Sequence, residues 1–184
     1  MRASLPVPSS TVGWPSDRAK DGGVDEIPID GVPGRLFLCG KHAVGPDPEA
    51  LLARIDGTTI VCLTELHEIK DRYPDYADWL RDNAPARAVH HPIFDFCAPP
   101  ADELNELVEH LHARLAAGES VLLHCGGGYG RAGTMAAALL VRRGVPLEIA
   151  LETIRTARPM AGPEVGGQAD ALVAYERSRA EASP

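Results

Sequence analysis

The stretch Val121-Leu122-Leu123-His124-Cys125-Gly126-Gly127-Gly128-Tyr129-Gly130-Arg131-Ala132-Gly133-Thr134 constrains this chain more than any other. It is an apolar strand running into a glycine-rich loop that opens a helix. The four glycines between Cys125 and Arg131 add no side chain to a core and cost more backbone entropy than any other residue. They read instead as a surface of backbone N–H groups along Gly126, Gly127, Gly128, Tyr129 and Gly130. Wrapped at a helix N-terminus, such groups nest a phosphate-sized anion and stabilise a thiolate at the centre of the ring. Cys125 is therefore a candidate nucleophile.

Three phosphate motifs compete for this loop. Gly128, Gly130 and Gly133 form a G-x-G-x-x-G between strand and helix, the mark of a dinucleotide site. That reading needs a second parallel strand soon after, with an acid at its end, whereas Glu148 and Glu152 sit inside helical pattern. A Walker A loop fails as well, because Arg131 and Ala132 leave no lysine before Thr134. The third reading is His-Cys-(five residues)-Arg. Here the chain resembles the cysteine-dependent protein phosphatases, whose phosphate loop has that form.

Bulk properties bound the partners. The 184 residues fit one domain, and 45% hydrophobic with 24% charged residues is ordinary globular usage. A net charge of -8 disfavours nucleic acid or an anionic membrane as a bulk partner, so any anion is bound locally. No apolar run reaches a membrane span and the N-terminus has no signal-like core, which predicts a cytoplasmic protein. Cys39, Cys62, Cys97 and Cys125 lack CxxC spacing and read as reduced thiols. Cys39 and His42 have no further ligands nearby, so no metal is expected, and nothing implies a cofactor.

Along the chain, residues 1–30 read as an extended N-terminal arm, with Trp14 as a possible anchor, and residues 31–184 as the phosphatase domain. Strands are expected at Arg35 to Cys39, Thr58 to Leu63, Arg87 to His91 and Ser120 to His124. Helices are expected over Glu49 to Ile55, a short piece through Lys70, Tyr76 to Asn83, Asp102 to Ala117, Thr134 to Arg143, Leu147 to Ala157 and Gln168 to Arg179. Arg158-Pro159 reads as a helix break. The alternation implies an α/β domain, and with the resemblance a central, mostly parallel sheet of about four to five strands flanked by helices in the cysteine-phosphatase fold.

Asp95 lies between Phe94 and Phe96 on a proline-rich loop, where apolar neighbours would exclude water, the setting of a general acid. Aspartates in such loops more often cap turns, but beside the Cys-Arg loop the acid reading is preferred. The resemblance supports it. His90 to Asp95 followed by Pro99, and Ile60 to Glu65, are similar to segments of the kinase-associated and Cdc14-like dual-specificity phosphatases. In that family the acid protonates the leaving oxygen and afterwards, as carboxylate, activates water. The residues then imply this chemistry: Cys125 attacks a phosphomonoester in line, Arg131 binds two of its oxygens, and His124 orients the loop. The implied substrate is a phosphorylated protein or small phosphomonoester, phosphotyrosine first.

Two departures from the family pattern matter. A Ser or Thr there follows the arginine and stabilises the departing thiolate, whereas here Ala132 does, and Thr134 comes two residues later. This predicts slow release of phosphate, or a phosphate-binding module without turnover. Gln168 resembles the family's water-positioning glutamine, although the glycine-rich segment before it does not align cleanly. Cys62 resembles a thiol that traps the oxidised nucleophile in some members, against the alternative of a buried structural cysteine. Tyr129 either stacks on a substrate ring or packs on the Asp95 loop, with the latter preferred.

Overall fold

The computed structural model describes residues 22–182. Five strands form one sheet: β1 (Val24–Ile27), β2 (Leu36–Gly40), β3 (Thr59–Cys62), β4 (Ala88–His90) and β5 (Val121–Cys125). Their order is β1-β2-β5-β3-β4, with β1 antiparallel and the others parallel. The mostly parallel sheet expected from the sequence is thus present. β5 inserts between β2 and β3, so the chain end of the most central strand, Cys125, faces the carboxyl edge of the sheet. In open α/β sheets that edge, at the point where strand order reverses, is where ligands bind.

The inner strands β2, β3 and β5 are buried along their whole length because both faces are covered. Leu36, Leu38, Val61, Val121 and Leu123 point into one core layer, with helices α4 (Ala101–Ala116), α5 (Gly130–Arg142), α6 (Leu147–Ala157) and α7 (Gly166–Ala182). Phe37, Cys39, Ile60, Cys62 and Leu122 point to the other, against α1 (Lys41–Val44), α2 (Pro48–Ile55) and α3 (Pro74–Asn83). The stripe Leu104, Leu107, Val108, Leu111 and Leu115 of α4 is buried as its spacing predicts.

Two features depart from the sequence reading. Residues 24–27 pair with β2 as an edge strand, so this part of the expected arm belongs to the body; four residues are too few to show a period. Residues 1–21 of that arm, with Trp14, lie outside the described residues. α5 begins at Gly130, four residues before the expected Thr134, because two glycines weaken the helical signal of its first turn, which is fully buried and held by packing. Gly133 sits so close to the segment after α6 that an added Cβ would lie 2.2 Å from Gly162 N.

Candidate active site

The phosphate loop joins β5 to α5, and its shape follows from where its carbonyls go. Gly126 O accepts from Lys41 N at 3.1 Å, while Gly127 O and Gly128 O accept from Nη2 and Nε of Arg158 at 2.9 and 2.8 Å. A planar trans peptide points its N–H opposite to its C=O. Three outward carbonyls therefore aim the N–H groups of Gly127, Gly128 and Tyr129 inward, and none of these donates to a main-chain group among the described residues. Gly128 has φ +77, and a Cβ there would lie 2.2 Å from Cys39 O, so the turn admits only glycine.

Arg158 is almost fully buried, at 1% exposure. Beyond the two loop carbonyls, its Nη1 donates to Gly22 O and Gly23 O, each at 3.2 Å, and to Asp25 Oδ2 at 2.7 Å. Its guanidinium also lies 4.8 Å from the centroid of the Tyr129 ring. The sequence reading preferred Tyr129 packing on the Asp95 loop and did not foresee this contact with Arg158. The sequence reading treated Arg158 only as a helix break, although an arginine placed before a proline at a helix end gives no local sign of such a role.

Arg131 opens the other side of the ring. Nη1 and Nη2 form a bidentate pair with Glu68 at 2.6 and 2.9 Å, and Nη1 also donates to Ile93 O at 2.9 Å. Nη2 lies 3.1 Å from Asp95 Oδ1. Nε is buried and has no hydrogen-bond partner among the described residues, so one guanidinium donor is unsatisfied. Burial alone disfavours the Arg131 charge, but Glu68, Cys125 and Asp95 more than offset this and raise its pKa. For Glu68, burial pushes the carboxyl up, yet the Arg131 fork and neighbouring donors bring it below the usual range. Glu68 ends a 3-10 turn, Leu66–Glu68, where its Oε1 also accepts from Glu65 N at 2.9 Å. Sequence reasoning missed Glu68; the only local signal was that capping box.

His124 is fully buried and its pKa is pushed down to about 3, mainly by that burial. Its Nε2 meets the Tyr76 hydroxyl at 2.5 Å, and burial keeps Tyr76 protonated, so Tyr76 donates. The imidazole proton is therefore assigned to Nδ1, which lies against the Cys125 main chain without full hydrogen-bond geometry. An imidazole held in this way is neutral at neutral pH.

The remaining expected residues fall into two groups. Asp95 is brought to Arg131, but its side chain is 58% exposed and Phe94 and Phe96 are 70% and 55% exposed. The aromatics therefore do not bury the acid, because Phe96, at φ +59, turns the loop outward. Gln168 is buried at the start of α7, where Oε1 accepts from Glu164 N at 2.8 Å and Nε2 donates to Cys97 O at 3.2 Å. Ala132 and Thr134 are buried in the first turns of α5, and the Thr134 hydroxyl has no partner among the described residues. Cys62 is not brought to Cys125. It pairs in register with His124 and belongs to the opposite core layer, while burial pushes its thiol up to about 11.

The comparisons with known proteins concern the family and the fold. A family model described as "PTP-SAK: Swiss Army Knife protein, DSP-PTPase phosphatase domain" matches residues 32–166. Dual specificity phosphatase 28 of Homo sapiens is 28% identical over 159 residues, covering 83% of this chain and 81% of that protein. The crystal structure of Tk-PTP in its active form is 29% identical with a TM-score of 0.64, covering 83% of this chain and 96% of that one. The kinase associated phosphatase, solved with its catalytic site cysteine replaced by serine, has a TM-score of 0.72 at 23% identity and supports the fold alone; it covers 88% and 97%. Because the family model spans well over half of the sequence, this chain belongs to the DSP-PTPase phosphatase domain family and is a phosphatase.

Proposed function

We propose that this phosphatase hydrolyses phosphotyrosine, and also phosphoserine and phosphothreonine, in proteins through a phosphocysteine formed on Cys125. The carrying observation is the loop itself: three outward carbonyls aim the N–H groups of Gly127, Gly128 and Tyr129 inward, and Arg131 Nε has no hydrogen-bond partner among the described residues. A phosphoryl group seated there meets Cys125 in line, and the inward N–H dipoles stabilise charge on its equatorial oxygens. Asp95 protonates the leaving oxygen. In the structure Asp95 pairs with Arg131 Nη2, so an entering phosphate competes with that carboxylate and frees it to face the leaving group. The exposed Phe94 and Phe96 on either side of Asp95 offer apolar surface to a tyrosyl ring, which supports phosphotyrosine. The ring carries no cation besides Arg131, so it suits one phosphate and no additional ones. A binding module without turnover is not favoured, because it has no use for an acid at Asp95. The test is hydrolysis of para-nitrophenyl phosphate by native protein, Cys125→Ser and Asp95→Ala. The substituted proteins lose activity if the reading is right, whereas equal rates for native protein and Cys125→Ser refute it.

A further inference from the structure

Single apolar side chains on a protein surface are ordinary, whereas several gathered round one site mark a surface that something covers. Seven large apolar residues are exposed among the described residues, and two of them, Ile149 and Val173, stand on helix faces. The other five, Leu66, Phe94, Phe96, Met160 and Val165, lie on three segments that are each bonded to the phosphate loop or to Arg131. Leu66 opens the 3-10 turn whose last residue, Glu68, pairs with Arg131. Phe94 follows Ile93, whose carbonyl accepts from Arg131 Nη1, and with Phe96 it flanks Asp95 beside Nη2. Met160 and Val165 stand two residues before and three after Gly162, whose N–H donates to Tyr129 O. Gln168, which accepts from Glu164 N, also donates to Cys97 O and so joins this third segment to the second.

Charge narrows what covers this surface. Residues 65–68, 94–97 and 160–165 carry Glu65, Glu68, Asp95 and Glu164 and no lysine or arginine, and the whole chain has a net charge of -8. A membrane rich in lipid phosphomonoesters is itself anionic and is repelled by such a rim. A peptide that carries one phosphate and is otherwise apolar or basic is not. We propose that these residues form an apolar, acid-edged collar that selects phosphotyrosine in a protein segment with large apolar residues two positions to either side and disfavours acidic residues there. This rests on the phosphotyrosine reading above and names the sequence context that it takes. In an extended peptide the residues two before and two after project to the same face as the phosphotyrosine, so they meet the collar while the phosphate enters the loop.

The experiment measures kcat/KM of the full chain for three phosphotyrosine peptides that differ only at those two places, with leucine, serine or glutamate at both. Para-nitrophenyl phosphate and phosphatidylcholine vesicles containing phosphatidic acid are assayed beside them. The leucine peptide is expected to exceed the serine peptide by about 10-fold or more, with the glutamate peptide poorest. The triple variant Leu66→Ser, Met160→Ser, Val165→Ser loses the leucine preference and keeps its rate on para-nitrophenyl phosphate, which has no flanking residues. Equal values for the leucine and serine peptides overturn the proposal, as does a glutamate peptide preferred over both. So does a triple variant that retains the preference, or one whose rates on all substrates fall by the same factor. Phosphatidic acid hydrolysed more efficiently than every peptide makes the collar a lipid surface and overturns the proposal too. Native protein that hydrolyses para-nitrophenyl phosphate but none of the peptides refutes the phosphotyrosine reading itself, and this proposal with it.

Discussion

Removing Arg158 tests whether the phosphate ring is built from outside. The guanidinium makes five hydrogen bonds, two to loop carbonyls, two to Gly22 O and Gly23 O, and one to Asp25, whose side chain is only 12% exposed. Arg158→Ala takes the cation from a buried carboxylate and leaves Gly127 O and Gly128 O without their donor. Breaking a buried pair of this kind costs about 3–5 kcal/mol. In a domain of this size each kcal/mol moves Tm by about 2–4 °C, so a fall of roughly 6–20 °C is expected in a thermal circular dichroism scan. Activity should fall as well, because released carbonyls let the peptides turn and withdraw inward N–H groups. The loss of one such donor typically costs about 10²-fold in rate. Arg158→Lys keeps a charge for Asp25 but has no fork for two carbonyls, so it should recover stability more than kcat/KM for para-nitrophenyl phosphate. Asp25→Asn combined with Arg158→Ala should cost less than the sum of the two. A Tm shift under about 2 °C for Arg158→Ala, or strictly additive effects, would refute the reasoning.

Glu68→Gln removes the bidentate partner of Arg131, and we expect kcat/KM for para-nitrophenyl phosphate to drop by about 10-fold or more as the guanidinium loses its orientation; an unchanged value would make Glu68 incidental. His124 has a folded pKa near 3, below the ordinary 6.5, so the unfolded chain binds the proton first. Its contribution is complete above pH 6.5 and is lost as pH falls towards 3, by up to about 1.4 kcal/mol per pH unit. Urea unfolding between pH 6 and 5 should therefore show a flatter pH dependence for His124→Gln than for the native protein, and identical slopes would contradict the assignment. Glu68 does not enter that window, since its depressed pKa acts at lower pH. Ala132→Ser restores a hydroxyl beside the leaving thiolate and should raise the steady-state rate of phosphate release; no change would remove Ala132 as the slow element.

Much of the fold was legible because its signals are local. The apolar runs of β3 and β5, the leucine stripe of α4 and the boundaries Leu147–Ala157 of α6 each follow from spacing within one element. Cys125, Arg131 and the glycines between them were legible for the same reason, since one loop carries them all. Asp95 was legible as a residue, but its surroundings were not: flanking aromatics suggested burial, and the turn at Phe96 exposes them.

By itself, then, the sequence determined an α/β chain whose central strand runs into a glycine-rich loop between Cys125 and Arg131, because each is written in consecutive residues. Only the tertiary structure decided what holds that loop open. Glu68 and Arg131 are 63 positions apart, Arg158 and Gly128 are 30 apart, and Arg158 and Asp25 are 133 apart. It also put Cys62 on the face away from Cys125, and Glu164 rather than Gln168 against Gly130. No periodicity or motif records such pairs. They arise where crossovers bring segments to the carboxyl edge of one sheet, and burial there obliges every charge and carbonyl to find a partner.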